Sequence, residues 1–155
     1  MSEHLAGEAV VAEGGLPPEA GASPHRVINP EGLAAPVGFS HALVAAPGRL
    51  VFLGGQTAHG PDGELLGETM VEQFGAAAAN LATALAAAGG RPEHLVSLHI
   101  YVTDAEVYRS ALGPLGDAYR RHLGRHYPAT ALFEVAGLFD PRASVELVGI
   151  AVIPE

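Results

Sequence analysis

The stretch from Thr69 to Gly90 constrains the fold more than any other, because it is written as one amphipathic helix with a defined start and stop. Thr69 followed by Glu72 is a capping box, in which each side chain takes a backbone N–H of the other residue. Met70, Phe74, Ala77, Ala78, Leu81, Leu85 and Ala88 then recur at helical spacing until Gly89-Gly90 ends the run. With so many alanines on its apolar stripe, such a helix lies close to whatever it covers, which suits packing on a sheet.

The strands that would form this sheet are legible in period-two patterns. From Leu95 to Thr103, Val96, Leu98, Ile100 and Val102 make a wholly aliphatic face opposite Leu95, Ser97, His99 and Tyr101. The last strand, Val145 to Val152, is apolar on both faces, the mark of a central strand covered twice. His41–Ala45 and Leu50–Leu53 flank the turn pair Pro47-Gly48 and are predicted to form a hairpin, and Gly60-Pro61-Asp62-Gly63 is a second turn. Asp104 caps a second predicted helix, with Tyr108, Leu112, Leu115, Tyr119 and Leu123 along one side and Arg109, Asp117 and Arg120 on the other. The order strand, strand, helix, strand, helix, strand, strand predicts an α+β layer, one sheet covered by two helices.

Composition fits one domain: 155 residues, 48% hydrophobic and 16% charged, enough to bury a core and short for two domains. Residues 1–25 differ from the rest, with Glu3, Glu8, Glu13 and Glu19 among Gly, Ala and Pro and no basic residue before Arg26. They are expected to be a flexible tail ahead of a domain at 26–155, because such a segment buries too little apolar surface to offset its ordering entropy. A strap across a neighbouring subunit is the alternative.

The 17 acidic residues against 8 basic ones give a net charge of −9. All the basic residues are arginines, so lysine Schiff-base chemistry and a lysine-bound pyridoxal cofactor are excluded. Zero cysteines exclude disulfides, thiolate chemistry and cysteine-based zinc sites. A chain this acidic, without a basic stripe, would repel phosphate, so no nucleic-acid partner is expected. No secretory apolar segment or membrane-length apolar run is visible, so the expected location is the cytoplasm, away from membranes. His122 and His126 stand four apart, but Gly124 lies between them and Tyr127-Pro128 ends the helix at once, and no third ligand has suitable spacing. No metal is expected, and these are read as solvated helix-end histidines. Ser40-His41 is mere adjacency, since successive strand residues face opposite sides.

Several blocks, in order, carry a family resemblance. Tyr127-Pro128-Ala129-Thr130-Ala131-Leu132-Phe133-Glu134-Val135 resembles the signature strand of the Rid, or YjgF-like, family of reactive-intermediate deaminases. Asn29-Pro30, Gly38-Phe39-Ser40-His41, Leu50 to Gln56, Val102-Thr103-Asp104 and Val145 to Val152 resemble further family blocks, so that the similarity spans about Arg26 to Val152. The resemblance implies a chorismate-mutase-like fold whose homotrimer closes three sheets into a barrel-like core, with ligand pockets at the subunit clefts. It implies small-molecule hydrolysis without a cofactor. In deaminating members an arginine in the signature strand holds the carboxylate of an imino acid while water attacks its C=N bond. Thr130 stands at that position here, and Leu132 replaces a residue often seen as cysteine.

Strand parity puts Thr130, Leu132 and Glu134 on one face, and by the family pattern this face lines the pocket. Glu146 matches the glutamate that orients the hydrolytic water. Two readings are open for it, water activation or a hydrogen bond to a loop or to an arginine of a neighbouring subunit, such as Arg142. Glu134 is read as structural. Gly55 and Gln56, at a Gly-Gly-Gln strand end, would offer main-chain contacts to a ligand, with a bulge or plain strand end as the bland alternative, and Phe39 stands where an aromatic closes over the substrate, with ordinary core packing as its alternative. The candidate site is therefore Glu146 as catalytic residue with Phe39, Gly55, Gln56, Thr130 and Leu132 binding the ligand. Its expected action is hydrolysis of a reactive enamine or imine, with imino-acid deamination itself disfavoured by Thr130; a non-catalytic trimeric binding or regulatory module is the alternative. Another cation, such as Arg142, could stand in for the missing arginine.

Overall fold

A computed structural model describes residues 22–155. The elements run β1 (Arg26–Ile28), β2 (Ala42–Val44), β3 (Gly48–Gln56), α1 (Met70–Ala87), a single 3-10 turn (Pro92–His94), β4 (Leu95–Val102), α2 (Ala105–Ser110), α3 (Leu112–Leu123), β5 (Ala129–Glu134) and β6 (Val145–Pro154). β3, β6, β4 and β5 form one sheet in that order, antiparallel except for the β4–β5 pair, while β1 and β2 form a small antiparallel sheet of their own. The helices cover one face of the four-stranded sheet, giving the α+β layer expected from the sequence. Among the described residues no helix is long and apolar enough to cross a membrane.

The capping box that begins α1 forms as written: Glu72 N–H donates to Thr69 Oγ1 (3.2 Å), and Glu72 Oε2 accepts from Thr69 N–H (3.2 Å). Gly89, with φ at +89°, ends the run in a conformation that β-carbon sterics deny most residues. Ala77 and Ala78 are fully buried, and Leu81 and Leu85 reach the sheet between them and the helix end. Ala88 is the cap residue and exposed, one step beyond the buried stripe. Gln73 fastens α1 to the start of β6, accepting from Ser144 N–H (2.8 Å) and donating to the Arg142 carbonyl (3.2 Å).

Three local expectations are corrected. β2 does not make a hairpin with β3: it pairs with β1, and β3 pairs with β6. The buried His25 ring explains the divergence, because its Nδ1 accepts Ala46 N–H (3.0 Å) while Nε2 lies 3.1 Å from both the His94 and Val152 carbonyls, steering the chain past β2 towards β6. The second helix is broken at Ala111 (φ −122°, ψ 25°) into α2 and α3. Pro114 lacks the N–H that a continuous helix would bond to Ser110, and it is tolerated only in a new first turn, where that donor has no partner anyway. In β4 it is Leu95 and not Val96 that is fully buried, since the pairing with β6 shifts by one residue between Leu95 and Ser97. The bulge turns the strand's start over, and the alternation resumes with Leu98, Ile100 and Val102 in the core.

The sheet's second face is left open by this chain. Cross-strand register places Leu50 with Val152, Phe52 with Ile150, His99 with Val148 and Ala131, and Tyr101 with Glu146 and Phe133 on that face. Leu50 is 57% and Phe52 71% exposed, although Tyr101 and Phe133 stack at 5.5 Å. β6 is thus covered by helices on one side only within the described residues.

Of the expected tail, residues 1–21 lie outside the described residues. Ser23 Oγ donates to the Glu93 carbonyl (2.8 Å), and His25 is buried as described.

Candidate functional site

The sequence-derived residues separate into two places on opposite faces of the sheet. On the helix side, β5 pairs in parallel with β4, Thr130 beside Leu98 and Leu132 beside Ile100. There a cleft of about 650 Å³ opens between the Val37–Phe39 segment, the floor of β4 and β5, and helices α2 and α3. Phe39, Thr130 and Leu132 all line it, with Phe74, Ile100, Tyr108, Leu115, Tyr119, Arg120 and Tyr127. Phe39 is placed by its neighbour: Ser40 is buried, pairs with Ala129, and is held by its N–H to the Pro128 carbonyl (3.2 Å) and its hydroxyl to the Tyr127 carbonyl (2.6 Å). Ser40 is therefore occupied with backbone, and His41 Nε2 lies 2.6 Å from the Ala34 carbonyl.

The cleft is apolar because its polar groups look elsewhere. Thr130 Oγ1 donates to the Pro128 carbonyl (2.7 Å), which turns the hydroxyl back along its own strand. Tyr119 donates to the His126 carbonyl (2.6 Å) and stacks on Tyr127 at 5.2 Å. Burial pushes the hydroxyl pKa of both Tyr119 and Tyr108 up, so each stays protonated. Arg120 is the one cation lining the cleft among the described residues. The sequence pattern put it on the outer side of the helix with Asp117; a guanidinium on a long stem reaches round the rim, where Gly116 leaves it room.

Glu146 and Gly55 lie across the sheet from this cleft, while Gln56 pairs with Leu147, a residue of the helix-side core. The β3–β6 register slips between Leu53 and Gln56, a bulge that contains Gly54 and Gly55. The Glu146 side chain lies directly over Gly55, in the space that a β-carbon there would need. This close approach is why the position suits glycine. Glu146 is half-buried beside Tyr101, and its carboxylate has no hydrogen-bond or ion-pair partner among the described residues. Gln56 donates to the Gly54 carbonyl at 3.3 Å.

The other candidates have structural partners. Glu134 Oε1 accepts from Ala105 N–H (2.9 Å) at the start of α2. Arg142 binds Asp140 through Nε (3.1 Å) and Nη2 (2.8 Å) and lies in neither place. His126, expected to be solvated, is half-buried with Nε2 2.7 Å from the Leu95 carbonyl, and desolvation lowers its pKa. No group of three or more His, Asp or Glu side chains among the described residues could hold a metal ion.

One polar network was invisible in the sequence. Thr57 Oγ1 is 2.6 Å from His59 Nδ1, and His59 Nε2 is 3.0 Å from Asp140 Oδ2, the carboxylate that Arg142 also holds. Arg142 first, then His59, keep the Asp140 carboxyl well below the usual carboxylate range. Asn80 donates to both the Thr57 and His59 carbonyls (2.9 and 2.8 Å), fixing the segment that follows Gln56. With His59 and Asp140 so far apart in the chain, no local pattern could have paired them.

The sheet carries helices on one face, an apolar cleft at its parallel edge and, on the other face, Glu146 over the glycine bulge of β3. The chain belongs to the endoribonuclease L-PSP family, the YjgF/Rid family, whose model matches residues 30–153. It is similar to the Rid-family protein YyfB of Yersinia pestis, a protein of unknown function, at 31% identity over 83% of this chain and 98% of that one, with a TM-score of 0.76. It is also similar to Rv2704 of Mycobacterium tuberculosis, a YjgF-family member (29% identity, 76% of this chain and 88% of that one, TM-score 0.56). RidA of the Antarctic bacterium Psychrobacter is a third such structure (29% identity, 77% and 92% covered, TM-score 0.59). No curated protein matches the chain.

Proposed function

We propose that this protein is a cofactor-free, hydrolase-like Rid-family enzyme acting on a reactive enamine or imine in a cleft completed by a neighbouring subunit. The observation that carries this reading is the carboxylate of Glu146, without a partner among the described residues, above Gly55 on the face opposite the cleft formed by Phe39, Thr130 and Leu132. Neither half is a site alone. A closed homotrimer that buries the open face would bring one subunit's Glu146, Gly55 and Gln56 towards the next subunit's cleft. The exposed Leu50 and Phe52 give that face an apolar reason to associate.

In this assignment Glu146 takes a proton from water as the oxygen attacks the C=N carbon. It passes that proton to the nitrogen, giving a carbinolamine, then takes the carbinolamine hydroxyl proton and delivers it to the nitrogen as the C–N bond breaks, leaving a carbonyl and ammonia. Gly55 and Gln56 supply main-chain polar contacts to the substrate. Imino acids are poor substrates in this reading. A charge-assisted bond contributes ~1.5–3 kcal/mol, and Thr130 offers a carboxylate neither charge nor, with its hydroxyl on Pro128, a free donor. RNA cleavage is not part of it, since a chain of net charge −9 with one arginine in its cleft is a poor phosphodiester surface. We place the protein in the cytoplasm.

Glu146→Gln tests the assignment, because it keeps size and hydrogen bonding but removes the base. Turnover of carboxylate-free imines released in situ by an amine oxidase, assayed as carbonyl release, should fall about 10²-fold or more while the trimer mass in light scattering is unchanged. Unchanged turnover would remove the only base assigned. The apolar floor and the committed Thr130 hydroxyl favour a second reading, a non-catalytic trimeric binding or regulatory module. No turnover at all by the wild-type protein, combined with saturable ligand binding, would select it.

A further inference from the structure

The helix-side cleft is larger than a small imine requires. At about 30 Å³ for each water, its volume of about 650 Å³ would hold roughly twenty waters. That places it among pockets that bury ligands of drug size. Its floor and walls include Phe39, Phe74, Ile100, Leu115 and Leu132, so most of what fills it must be apolar.

Arg120 supplies the charge that Thr130 does not. Its Nη2 is 2.7 Å from Asp117 Oδ1, and its guanidinium spreads over Gly116, whose added β-carbon would lie 3.1 Å from Nη1. The neighbouring Tyr127 hydroxyl and the hydrogen-bonded Asp117 carboxylate raise its pKa. The Asp117 side chain is 70% exposed, so this i,i+3 pair sits in solvent at the rim and is weak enough to exchange for a ligand's carboxylate held in the drier cleft. Asp117 also sets the charge that fits, because a second negative charge on the ligand would lie close to that carboxylate.

We propose that the cleft accepts a bulky apolar monocarboxylate of aryl-alkanoate size, its ring on the Phe39–Phe74–Leu132 floor and its carboxylate on Arg120. The anion anchor has thus moved from the signature strand to α3, and Arg120 is the specificity-determining residue. This rests on reading the cleft as the ligand-binding half of the site proposed above. It does not depend on Glu146 or on catalysis.

Titration calorimetry on the full chain tests it, with 3-phenylpropanoate as probe beside its neutral amide, propanoate and phenyl phosphate. Saturable binding of 3-phenylpropanoate is expected, with the amide, the small anion and the dianion each at least about 10-fold weaker. Arg120→Gln should weaken the probe about 10- to 100-fold. Arg120→Lys, which keeps the charge but loses the planar fork, should fall between, and Arg142→Gln should bind as the wild type does. Far-ultraviolet circular dichroism matching the wild type checks that α3 survives in each variant. Equal binding of acid and amide, an Arg120→Gln affinity within about twofold of wild type, or no saturable binding of the probe would each overturn the proposal. Arg120-dependent binding without imine turnover would leave it standing and remove the hydrolytic reading. Glu146-dependent turnover without probe binding would do the reverse.

Discussion

The two faces of the four-stranded sheet are written in similar residues and end differently. On one, Leu98, Leu147 and Val145 are fully buried beneath α1 and α3. On the other, Phe52 and Leu50 stand largely exposed beside Val148 and Ile150. The difference teaches that alternation specifies which residues share a face but not who covers it. One face is closed by this chain's own helices, and the proposed trimer assigns the other to its copies.

The sharpest test of the closed face is Leu81→Ala, which empties a fully buried position between α1 and the sheet. Unfolding stability measured with urea should fall by ~2–5 kcal/mol. A loss below about 1 kcal/mol would mean that α1 does not seal that face. For the open face, Phe52→Glu should weaken trimer association at least about 100-fold in light scattering, because three carboxylates would be buried unpaired. Monomer stability should change by no more than about 0.5 kcal/mol, as for an exposed substitution. An unaltered trimer would break the comparison by showing that this face is not the interface.

The smallest effect concerns neither face but the sheet end where His25, His94 and His126 gather. Desolvation lowers the pKa of His94, with Arg91 adding to it, and desolvation likewise lowers that of His126. Both bind protons less readily folded than unfolded, so their contribution is fully present above the unfolded value of about 6.5 and is lost as pH falls through the folded values. The urea midpoint should therefore decline modestly from about pH 7.5 to about pH 5.5. His126→Gln, which cannot titrate, should flatten the decline; an equally steep slope would assign the effect elsewhere.

Much of the candidate site was legible residue by residue, and its arrangement was not. Parity correctly grouped Thr130 with Leu132, and the motif order brought Phe39 to the same cleft. Gly55 and Glu146 were each marked, but their direct contact depends on a bulge in β3. Arg120 was misplaced because helical periodicity gives the direction of a Cβ, not the reach of a guanidinium beyond it.

The sequence by itself determined the helix from Thr69 to Gly89, the alternation of β4 to β6, the absence of lysine and cysteine chemistry, and the family. These are local or compositional properties, set by caps, side-chain period and residue type within a few positions. Only the tertiary structure decided that β2 leaves β3 for β1, that Leu95 replaces Val96 in the core, that the helix divides into α2 and α3 with Arg120 over the cleft, and that Glu146 and Thr130 lie on opposite sides of one sheet. Pro114 was in plain view for the helix break, but its consequence depended on how α3 packs. The other three depend on register and on contacts between distant residues, such as His25 with Ala46 and Val152, which no local pattern encodes.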